Sequence, residues 1–265
     1  MELLTAVAGP SVWRGAQLDE RDWAVAADCP VSELAELLWR GPGLAVVRGI
    51  GLDGLTDGEC VRVARRYLAG LGTVRPEDPA RPADSLVVAG AARDEAGLDL
   101  HTDRAMYPGP PRLLGLLCVR PAASGGESLL VSGHAVHDAL LASRPRALAP
   151  LYADFHFGDG PDFARTYPVF RRRDGRLDVQ YNRYWIGRGH AERGLPLTGA
   201  QLSALDAFEE VLAEPGLALR VPLRRGDLLL VDNMAVLHGR TAFTDPPEPE
   251  PEPGEGRCLV RVWAD

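Results

Sequence analysis

A histidine and an aspartate two residues apart, His101 and Asp103, are the residues of this sequence best suited to hold a metal ion together. Side chains of an extended segment alternate with a period of two, so both of these point to the same side of the chain. An imidazole and a carboxylate on one side form two ligands of the 2-His-1-carboxylate facial triad. That triad holds non-haem Fe(II) and leaves positions open for a substrate and for oxygen.

The spacing of this pair is weak evidence when it is taken alone. With 6 histidines and 37 acidic residues among 265, about one His-x-acid match is expected by chance. A second match, His190-Ala-Glu192, runs into Thr198 and Gln201, which have the capping-box spacing of a helix start. That context argues against metal binding by His190, so the surroundings of His101 must decide its role too.

The triad needs a second histidine, and His238 is the candidate. It follows an apolar run that is typical of a buried strand. An isolated histidine on such a strand is more often a hydrogen-bonded core residue than a metal ligand, so other motifs must support it. One such motif is a pair of arginines, Arg257 and Arg261, on the last predicted strand. Because they lie four residues apart, they face the same side of the strand and predict an anion site.

The elements that must position these residues are mainly strands. Short apolar runs bounded by glycine, proline or turn residues predict strands at 44–50, 113–119, 127–132, 177–182, 218–223, 228–233, 235–243 and 257–263. Apolar residues at helical spacing predict helices within 18–40 with Ser32 as N-cap, after Thr56, at 135–148 and at 201–212. The strands bracket a helical insertion at about 135–215, without the strand-helix alternation of a parallel sheet.

Two segments are poor candidates for packed structure. Residues 75–97 are rich in Pro, Asp and Ala around one short apolar run, which suits either a mobile segment beside the site or a solvated loop. Residues 245–256 alternate Pro with Glu, and proline cannot donate to a β-ladder. We expect an acidic polyproline-II loop there. The sequence leaves open whether either segment acts as a lid.

Length and composition narrow the class of protein. We expect one domain over residues 1–265, with core strands from about residue 44. The net charge is −8 and every basic residue is arginine, without a basic face for nucleic acid or a basic amphipathic helix for a membrane. A leader pattern and a long apolar run are absent, and the four cysteines have no C-x-x-C spacing. We therefore expect a soluble cytoplasmic protein with free thiols.

The order of several motifs resembles that of the Fe(II)/2-oxoglutarate-dependent dioxygenases of the taurine dioxygenase and clavaminate synthase type. Each motif is common, but their order and separation over most of the chain are specific together. The motifs are Gly43-Leu-Ala-Val-Val-Arg-Gly49, His101-Thr-Asp103, Gly125-Gly-Glu-Ser128, Gly226-Asp-Leu-Leu-Leu-Val-Asp-Asn233, His238-Gly-Arg-Thr-Ala-Phe243 and Arg257-Cys-Leu-Val-Arg261. The His-Gly-Arg-x-x-Phe form is closer to the clavaminate synthase side, whose members often oxidise free amino acids.

The resemblance implies a role for each matched residue. His101, Asp103 and His238 would bind the iron. Arg257 would anchor the distal carboxylate of 2-oxoglutarate, and the hydroxyl of Ser128 would donate to the same carboxylate. The acidic loop makes the separation between His238 and Arg257 longer than is usual in the family, but the arginine pair keeps Arg257 the best match.

Candidates for binding the primary substrate follow from the same resemblance. Arg261 matches a position that meets the acidic group of the substrate in several members of the family. The alternative for Arg261 is a surface arginine on an edge strand. Asn182 and Arg183, at the end of a predicted strand in the insertion, are further substrate candidates, whereas Arg240 is expected to be structural.

The resemblance also implies an α+β fold, a double-stranded β-helix or jelly roll, with flanking helices and the helical insertion between the strands that carry the metal ligands. Fe(II), 2-oxoglutarate and O2 would oxidise an unactivated C–H bond and release succinate. We expect hydroxylation of a small amino acid or amino-acid-derived intermediate, free or carrier-tethered, in specialised metabolism. Desaturation or cyclisation would use the same residues, and halogenation is disfavoured because Asp103 fills the halide position. A non-catalytic jelly-roll binding protein is the alternative from another class.

Overall fold

The computed structural model of the protein describes residues 4–76, 86–88, 96–107, 109–158, 166–245 and 256–265. Its helices are α1 (Val31–Trp39), α2 (Asp57–Ala69), α3 (Gly133–Ser143), α4 (Pro145–Leu148), α5 (Arg183–Glu192) and α6 (Gly199–Leu212). Its strands are β1 (Ala24–Ala26), β2 (Leu44–Arg48), β3 (Leu86–Val88), β4 (Leu98–His101), β5 (Leu113–Arg120), β6 (Ser124–Gly125), β7 (Ser128–Ser132), β8 (Asp154–His156), β9 (Thr166–Pro168), β10 (Phe170–Arg173), β11 (Arg176–Val179), β12 (Leu219–Val221), β13 (Leu228–Asp232), β14 (Val236–Arg240), β15 (Phe243–Thr244) and β16 (Cys258–Ala264). Each predicted strand is found, with its ends shifted by a few residues.

Two sheets form the centre of the fold. The major sheet has the strand order β1-β2-β13-β5-β16-β3, and the minor sheet has the order β12-β7-β14-β4. Along the chain, β3, β5, β13 and β16 enter the major sheet, while β4, β7, β12 and β14 enter the minor sheet. Neighbours among these eight strands are antiparallel. This arrangement is the predicted jelly roll, in which the chain alternates between two facing sheets.

Separate hydrophobic clusters hold the layers together. Helices α1 and α2 cover the outer face of the major sheet with side chains such as Leu34 and Leu68, which are fully buried. The contact is close, because a Cβ on Gly115 of β5 would lie 2.6 Å from Leu68 Cδ1. A second cluster, which includes Leu114 of β5 and Leu130 of β7, fills the space between the two sheets.

The insertion between β7 and β12 covers the outer face of the minor sheet. Leu237 of β14 and Phe208 of α6 are fully buried in the cluster that joins them. The insertion was predicted to be helical at about 135–215, and it contains α3 to α6 together with two antiparallel strand pairs, β8 with β9 and β10 with β11. Asp174 and Gly175 turn the chain between β10 and β11 with φ values of +49° and +78°. Its aromatic part therefore contains the strand predicted at 177–182, here β11, and three further strands.

One predicted helix begins two residues earlier than expected, and its cap is different. Helix α1 begins at Val31, so Ser32 lies inside the helix and Pro30 takes the N-cap position. The Pro30 carbonyl accepts a hydrogen bond from the Glu33 N–H at 3.0 Å. The Ser32 prediction was wrong because the helix begins directly after Pro30. The segment before Pro30 forms short 3-10 turns and β1 instead of helix.

The two segments predicted to lack packed structure lie largely outside the described residues. Within 75–97, the short strand β3 pairs with β16 at the edge of the major sheet, so this part belongs to the jelly roll and not to a loop. Residues 77–85 and 89–95 are outside the described part of the chain, as are 246–255 of the acidic loop. The expectations for those residues stay predictions.

Two further predictions concern membrane-spanning segments and the state of the cysteine thiols. No helix in the described part of the chain is long and apolar enough to cross a membrane. The cysteines are free thiols, as predicted, and Cys60, Cys118 and Cys258 are buried.

Candidate metal centre

The two histidines of the predicted triad lie side by side on neighbouring strands of the minor sheet. The antiparallel register of β4 and β14 pairs His101 with His238. Directly paired residues point to the same face of a sheet, so both rings extend into the space between the sheets. Their centroids are 4.5 Å apart. The strand pairing therefore supplies two imidazoles at one point from residues far apart in sequence.

Asp103 completes the group from the turn that follows β4. Its Oδ1 lies 3.3 Å from Nε2 of His101 and 3.4 Å from Nε2 of His238. The three potential ligand atoms all lie within 4.8 Å of one another. The structure thus brings together the three residues that the sequence predicted, and they come from two strands and one turn.

Hydrogen bonds fix the orientation of these side chains. His101 Nδ1 lies 2.8 Å from the Asp99 carbonyl oxygen. Since a carbonyl only accepts, Nδ1 carries a proton, which leaves Nε2 as the ring nitrogen directed at Asp103 and at the centre of the group. The Asn233 side chain holds the turn, because its Oδ1 accepts from the Asp103 N–H at 2.7 Å and its Nδ2 donates to the Asp103 carbonyl at 3.0 Å. These contacts position the ligands before any ion binds.

The insertion is tied to the same turn through Thr102. The Thr102 N–H donates to the Tyr181 carbonyl at 2.8 Å, and the Tyr181 N–H donates to Thr102 Oγ1 at 3.0 Å. Thr102 is buried between His101, the last residue of β4, and Asp103 of the turn. Tyr181 is itself fully buried, and its hydroxyl donates to Glu209 of α6. The turn is therefore held from the insertion as well as from Asn233.

The electrostatics of the centre favour a bound cation. Burial alone would raise the pKa of Asp103, but hydrogen bonds from His101 and His238 hold that pKa well below its usual range. Burial lowers the pKa of His238, and the neighbouring His101 lowers it further. Burial also acts against the pKa of His101, which is raised overall because of the hydrogen bond and the charge of Asp103. The carboxylate is thus a buried anion at neutral pH.

This donor set suits Fe(II) in its chemistry. Two imidazole nitrogens and one carboxylate oxygen, converging from one side, are the ligands of a facial triad. The side chain of His101 is partly exposed, whereas those of Asp103 and His238 are buried, so the centre lies at the mouth of the jelly roll. A divalent ion here would keep open positions toward solvent, where small molecules can reach it.

Arg257, the predicted 2-oxoglutarate anchor, is buried with 5% of its surface exposed. Burial and the nearby charge of Arg240 lower the pKa of Arg257 to about 10, so it stays charged at neutral pH. A Cβ on Gly126, which has a φ of +71°, would lie 3.2 Å from Arg257 Nε. Ser128 is buried two residues further along. A buried guanidinium beside a second cation is well suited to a carboxylate partner.

Arg261, the predicted substrate residue, acts electrostatically on the triad. Its charge acts on the pKa values of His101, Asp103 and His238. The side chain is partly buried, and its guanidinium carbon lies 4.7 Å from the centre of the Trp263 ring. The predicted alternative was a surface arginine on an edge strand, and β16 lies between β5 and β3, with β3 paired to Cys258, Leu259 and Val260 before Arg261.

The other two predicted substrate residues have local partners. The Asn182 side chain caps α5 by accepting from the Trp185 N–H at 3.1 Å. Arg183, the first residue of α5, forms an ion pair with Asp206 at 3.0 Å and lies 3.7 Å from Glu209. These contacts explain both residues as parts of the insertion, and their substrate role stays a prediction.

Two residues near the centre were not found from the sequence. The Trp263 indole N–H donates to Asp103 Oδ2 at 2.8 Å. Arg104, directly after Asp103, has a φ of +55°, and its guanidinium carbon lies 4.2 Å from the centre of the Trp263 ring. A signal for Trp263 existed, because the period of two that places Arg257 and Arg261 on one face of β16 also includes Trp263.

This jelly roll, with two histidines and an aspartate at its mouth, defines the class of non-haem iron oxygenases with a 2-His-1-carboxylate site. Residues 8–263 match the taurine catabolism dioxygenase TauD, TfdA family, and the chain belongs to that family. The resemblance found in the sequence is therefore confirmed.

Curated relatives agree with this assignment. FR-33289 synthase of Streptomyces rubellomurinus is 29% identical over 255 residues, which cover 88% of this chain and 72% of the relative. A uridine-5'-phosphate dioxygenase of Streptomyces sp is 31% identical over 159 residues, and the match covers 56% of each protein. The human γ-butyrobetaine dioxygenase is 27% identical over 154 residues, or 55% of this chain and 40% of that protein. These three relatives therefore match over very different shares of their length.

Solved structures share the fold. An asparagine oxygenase in complex with Fe(II), 3-hydroxyasparagine and succinate superposes with a TM-score of 0.66 at 21% identity, over 88% of this chain and 78% of that one. The non-haem iron oxygenase OrfP, in complex with iron and α-ketoglutaric acid, superposes with a TM-score of 0.65 at 18% identity, over 88% and 79%. At these identities the likeness concerns the fold.

The protein is a non-haem iron dioxygenase that uses Fe(II), 2-oxoglutarate and O2. His101, Asp103 and His238 form a group that could hold the metal ion. The alternative of a non-catalytic binding protein is set aside, because the chain has the complete donor set and belongs to a family of dioxygenases.

Proposed function

We propose that the protein, as a single domain, hydroxylates an unactivated C–H bond of a small amino acid or amino-acid-derived intermediate, either free or tethered to a carrier. The observation that carries this proposal is the position of Arg261 beside the metal centre. Its guanidinium carbon lies 4.7 Å from the centre of the Trp263 ring, whose indole N–H donates to Asp103, and its charge acts on all three side chains of the triad. A substrate carboxylate paired with Arg261 would bring the adjacent carbon atoms close to the metal.

Arg257, directly before β16, and Arg261, within it, would bind different anions. Arg257 is buried at 5% exposure and would hold the distal carboxylate of 2-oxoglutarate together with Ser128. Arg261 is partly exposed at the mouth and would hold the acidic group of the substrate. A buried guanidinium pairs strongly with a carboxylate because water does not compete for its hydrogen bonds. This division leaves one anion for each arginine.

The chain contributes binding and orientation to the reaction. When bound, the iron and 2-oxoglutarate supply, with O2, the oxidising power that breaks a C–H bond, and succinate is released. The triad would hold the metal on one face, and Asn233 would keep the Asp103 turn in place through its hydrogen bonds. Arg261 would select which carbon of the substrate faces the metal, since catalysis of this kind depends on the distance to one C–H bond.

The named products of the structural neighbours support an amino acid as substrate. One solved complex contains 3-hydroxyasparagine, and another contains (3R,4R)-dihydroxy-L-arginine with iron and succinate. In both of these proteins the bound product is a hydroxylated amino acid. Desaturation and cyclisation are the alternatives for this chain, because they would require the same residues and differ only in the fate of the substrate.

The proposal is tested by measuring succinate formation with Fe(II), ascorbate and 2-oxoglutarate against a panel of free and carrier-tethered amino acids. We expect at least one to raise succinate release and to gain one oxygen atom in mass. Loss of two hydrogen atoms without gain of oxygen would instead indicate desaturation or cyclisation. If no amino acid raises the rate while other acidic metabolites do, the amino-acid class is wrong.

The proposed place of action is the cytoplasm, in specialised metabolism. The free thiols Cys60, Cys118 and Cys258 support a reducing compartment, where Fe(II) is also kept available. Localisation of a tagged full-length protein by fractionation tests this part. Recovery of the protein with extracellular material would contradict it.

A further inference from the structure

The two oxygens of the Asp103 carboxylate have different partners. Oδ1 faces the metal centre, 3.3 Å from His101 Nε2 and 3.4 Å from His238 Nε2. Oδ2 accepts a hydrogen bond of 2.8 Å from the Trp263 indole N–H. Trp263 is on the major sheet, whereas the two histidines are on the minor sheet. The carboxylate is therefore held from both sides of the jelly roll.

We propose that Trp263 is a positioning residue that keeps Asp103 a one-oxygen ligand of the metal. A carboxylate can bind a metal ion through one oxygen or through both. A second bond from Asp103 would occupy a position that the triad must leave open for 2-oxoglutarate or O2. To form that second bond, the carboxylate would have to rotate until Oδ2 faces the metal. The indole hydrogen bond opposes this rotation because it keeps Oδ2 turned away from the metal. Partners of this kind orient metal ligands in many sites.

Two cations hold the indole ring in place. The guanidinium carbon of Arg104 lies 4.2 Å from the centre of the Trp263 ring, and that of Arg261 lies 4.7 Å from it. Such contacts attract a cation to the face of the ring. Arg104 adopts a left-handed φ of +55°, a conformation that is unfavourable for a residue with a side chain. Arg104 directly follows Asp103, and strained backbone of this kind is concentrated at functional sites.

An ordinary packing role for Trp263 makes a different prediction. If the ring only filled space, Trp263→Phe would reduce stability without changing the metal centre. Trp13 offers a control, because its buried indole N–H donates at 2.8 Å to the Pro42 carbonyl and not to Asp103. Trp13→Phe removes an indole hydrogen bond of the same length, to a backbone carbonyl instead of a carboxylate. The two variants therefore separate the loss of an indole hydrogen bond from an effect on Asp103.

The experiment measures binding of Co(II) by calorimetry and by its visible absorption in the two variants and the unchanged protein. We expect Trp263→Phe to weaken Co(II) binding by about 10- to 100-fold and to change the absorption intensity, which reports the number of ligands. Trp13→Phe should leave both unchanged. Equal affinity and an equal spectrum in Trp263→Phe would overturn the proposal, and so would equal effects in both variants.

A second measurement needs no variant and covers the case in which Trp263→Phe does not fold. The protein has five tryptophans, and each gives one indole N–H signal in a spectrum of ¹⁵N-labelled protein. When Co(II) binds, we expect one of these signals to show a large paramagnetic shift, because a proton bonded to the ligand carboxylate is close to the metal. If none shifts, Trp263 does not contact the ligand and the proposal fails. Neither test depends on the substrate.

Discussion

The histidines of the insertion and those of the minor sheet are used in opposite ways. In the insertion, His134 Nδ1 pairs with Ser11 Oγ and its Nε2 donates to the Leu177 carbonyl at 2.7 Å. His190 similarly pairs with the Leu195 carbonyl through Nδ1, and its Nε2 accepts from a backbone N–H of β8. Both nitrogens of each ring are therefore engaged in holding the fold.

In the minor sheet, one nitrogen of each ring faces a shared centre. His101 uses Nδ1 on the Asp99 carbonyl, and its Nε2 points at Asp103 together with Nε2 of His238. The comparison teaches that spacing does not make a metal site, since His190-Ala-Glu192 has the same spacing as His101-Thr-Asp103. A histidine can bind metal here when the fold leaves it a nitrogen directed at other donors.

The largest expected effect comes from removing one residue of the triad. His101→Ala, Asp103→Ala and His238→Ala should each lower turnover by more than the roughly 100-fold that loss of a supporting partner can cost. The cause is the loss of one of three metal bonds. Anaerobic Fe(II) titration and succinate release measure the effect, and circular dichroism checks the fold.

His190→Gln is the matched control in the insertion. It should keep Fe(II) affinity and turnover while lowering thermal stability, because glutamine retains hydrogen-bonding groups but not the ring. Full activity in any of the three triad variants would contradict the assignment of the ligands. Loss of iron binding in His190→Gln would contradict the contrast between the two regions.

The second prediction concerns Arg257, the buried arginine proposed to anchor 2-oxoglutarate. Arg257→Ala should leave a carboxylate of 2-oxoglutarate without its partner, which costs on the order of 2–5 kcal/mol. The affinity for 2-oxoglutarate should then fall well over tenfold, as about 1.4 kcal/mol corresponds to each factor of ten. Calorimetric titration of 2-oxoglutarate under anaerobic conditions measures it.

Arg120→Ala serves as its control, because Arg120 is the cross-strand neighbour of Cys258 and pairs with Asp57 at 2.9 Å. Its removal should leave the affinity for 2-oxoglutarate unchanged. Normal affinity in Arg257→Ala would mean that the anchor lies elsewhere.

The third prediction separates the role of Arg261 from that of Arg257. Arg261→Ala should raise the KM for the primary substrate about tenfold or more, or uncouple O2 consumption from product formation, because the acidic group of the substrate loses its partner. The slow release of succinate without substrate should survive, since 2-oxoglutarate keeps Arg257. Rates with and without substrate measure this difference. A variant that loses 2-oxoglutarate binding instead would reverse the two roles.

The smallest effect concerns the histidines of the insertion and the dependence of stability on pH. Burial lowers the pKa of His134 despite its hydrogen bond to the Leu177 carbonyl, and burial also lowers the pKa of His137. Protonation therefore favours the unfolded chain, so stability is full above the unfolded pKa of about 6.5 and falls as pH decreases below it. We expect His134→Gln to show a weaker loss of stability between about pH 7 and pH 5. Urea unfolding at several pH values measures it, and an unchanged slope would contradict the prediction.

Local patterns in the sequence were enough to predict much of this protein. Thr56 and Thr198 cap α2 and α6 as expected, because a capping box depends on residues three positions apart. Six of the eight jelly-roll strands, all but β3 and β4, were also predicted from their apolar runs. The identity of the triad came from His101-Thr-Asp103 and from the order of motifs. Each of these depends on short spacing or on motif order, both of which are present in the sequence itself.

The tertiary structure decided which distant residues meet. The pairing of His101 with His238 depends on the register of β4 and β14, and the hydrogen bond from Trp263 to Asp103 joins residues 160 positions apart. In the insertion, the strand at 177–182 was predicted, but its partner β10 and the pair of β8 and β9 were not, since such short strands are stabilised by a partner and not by their own sequence. Contacts of this kind arise from the packing of the whole chain, so local spacing could not reveal them.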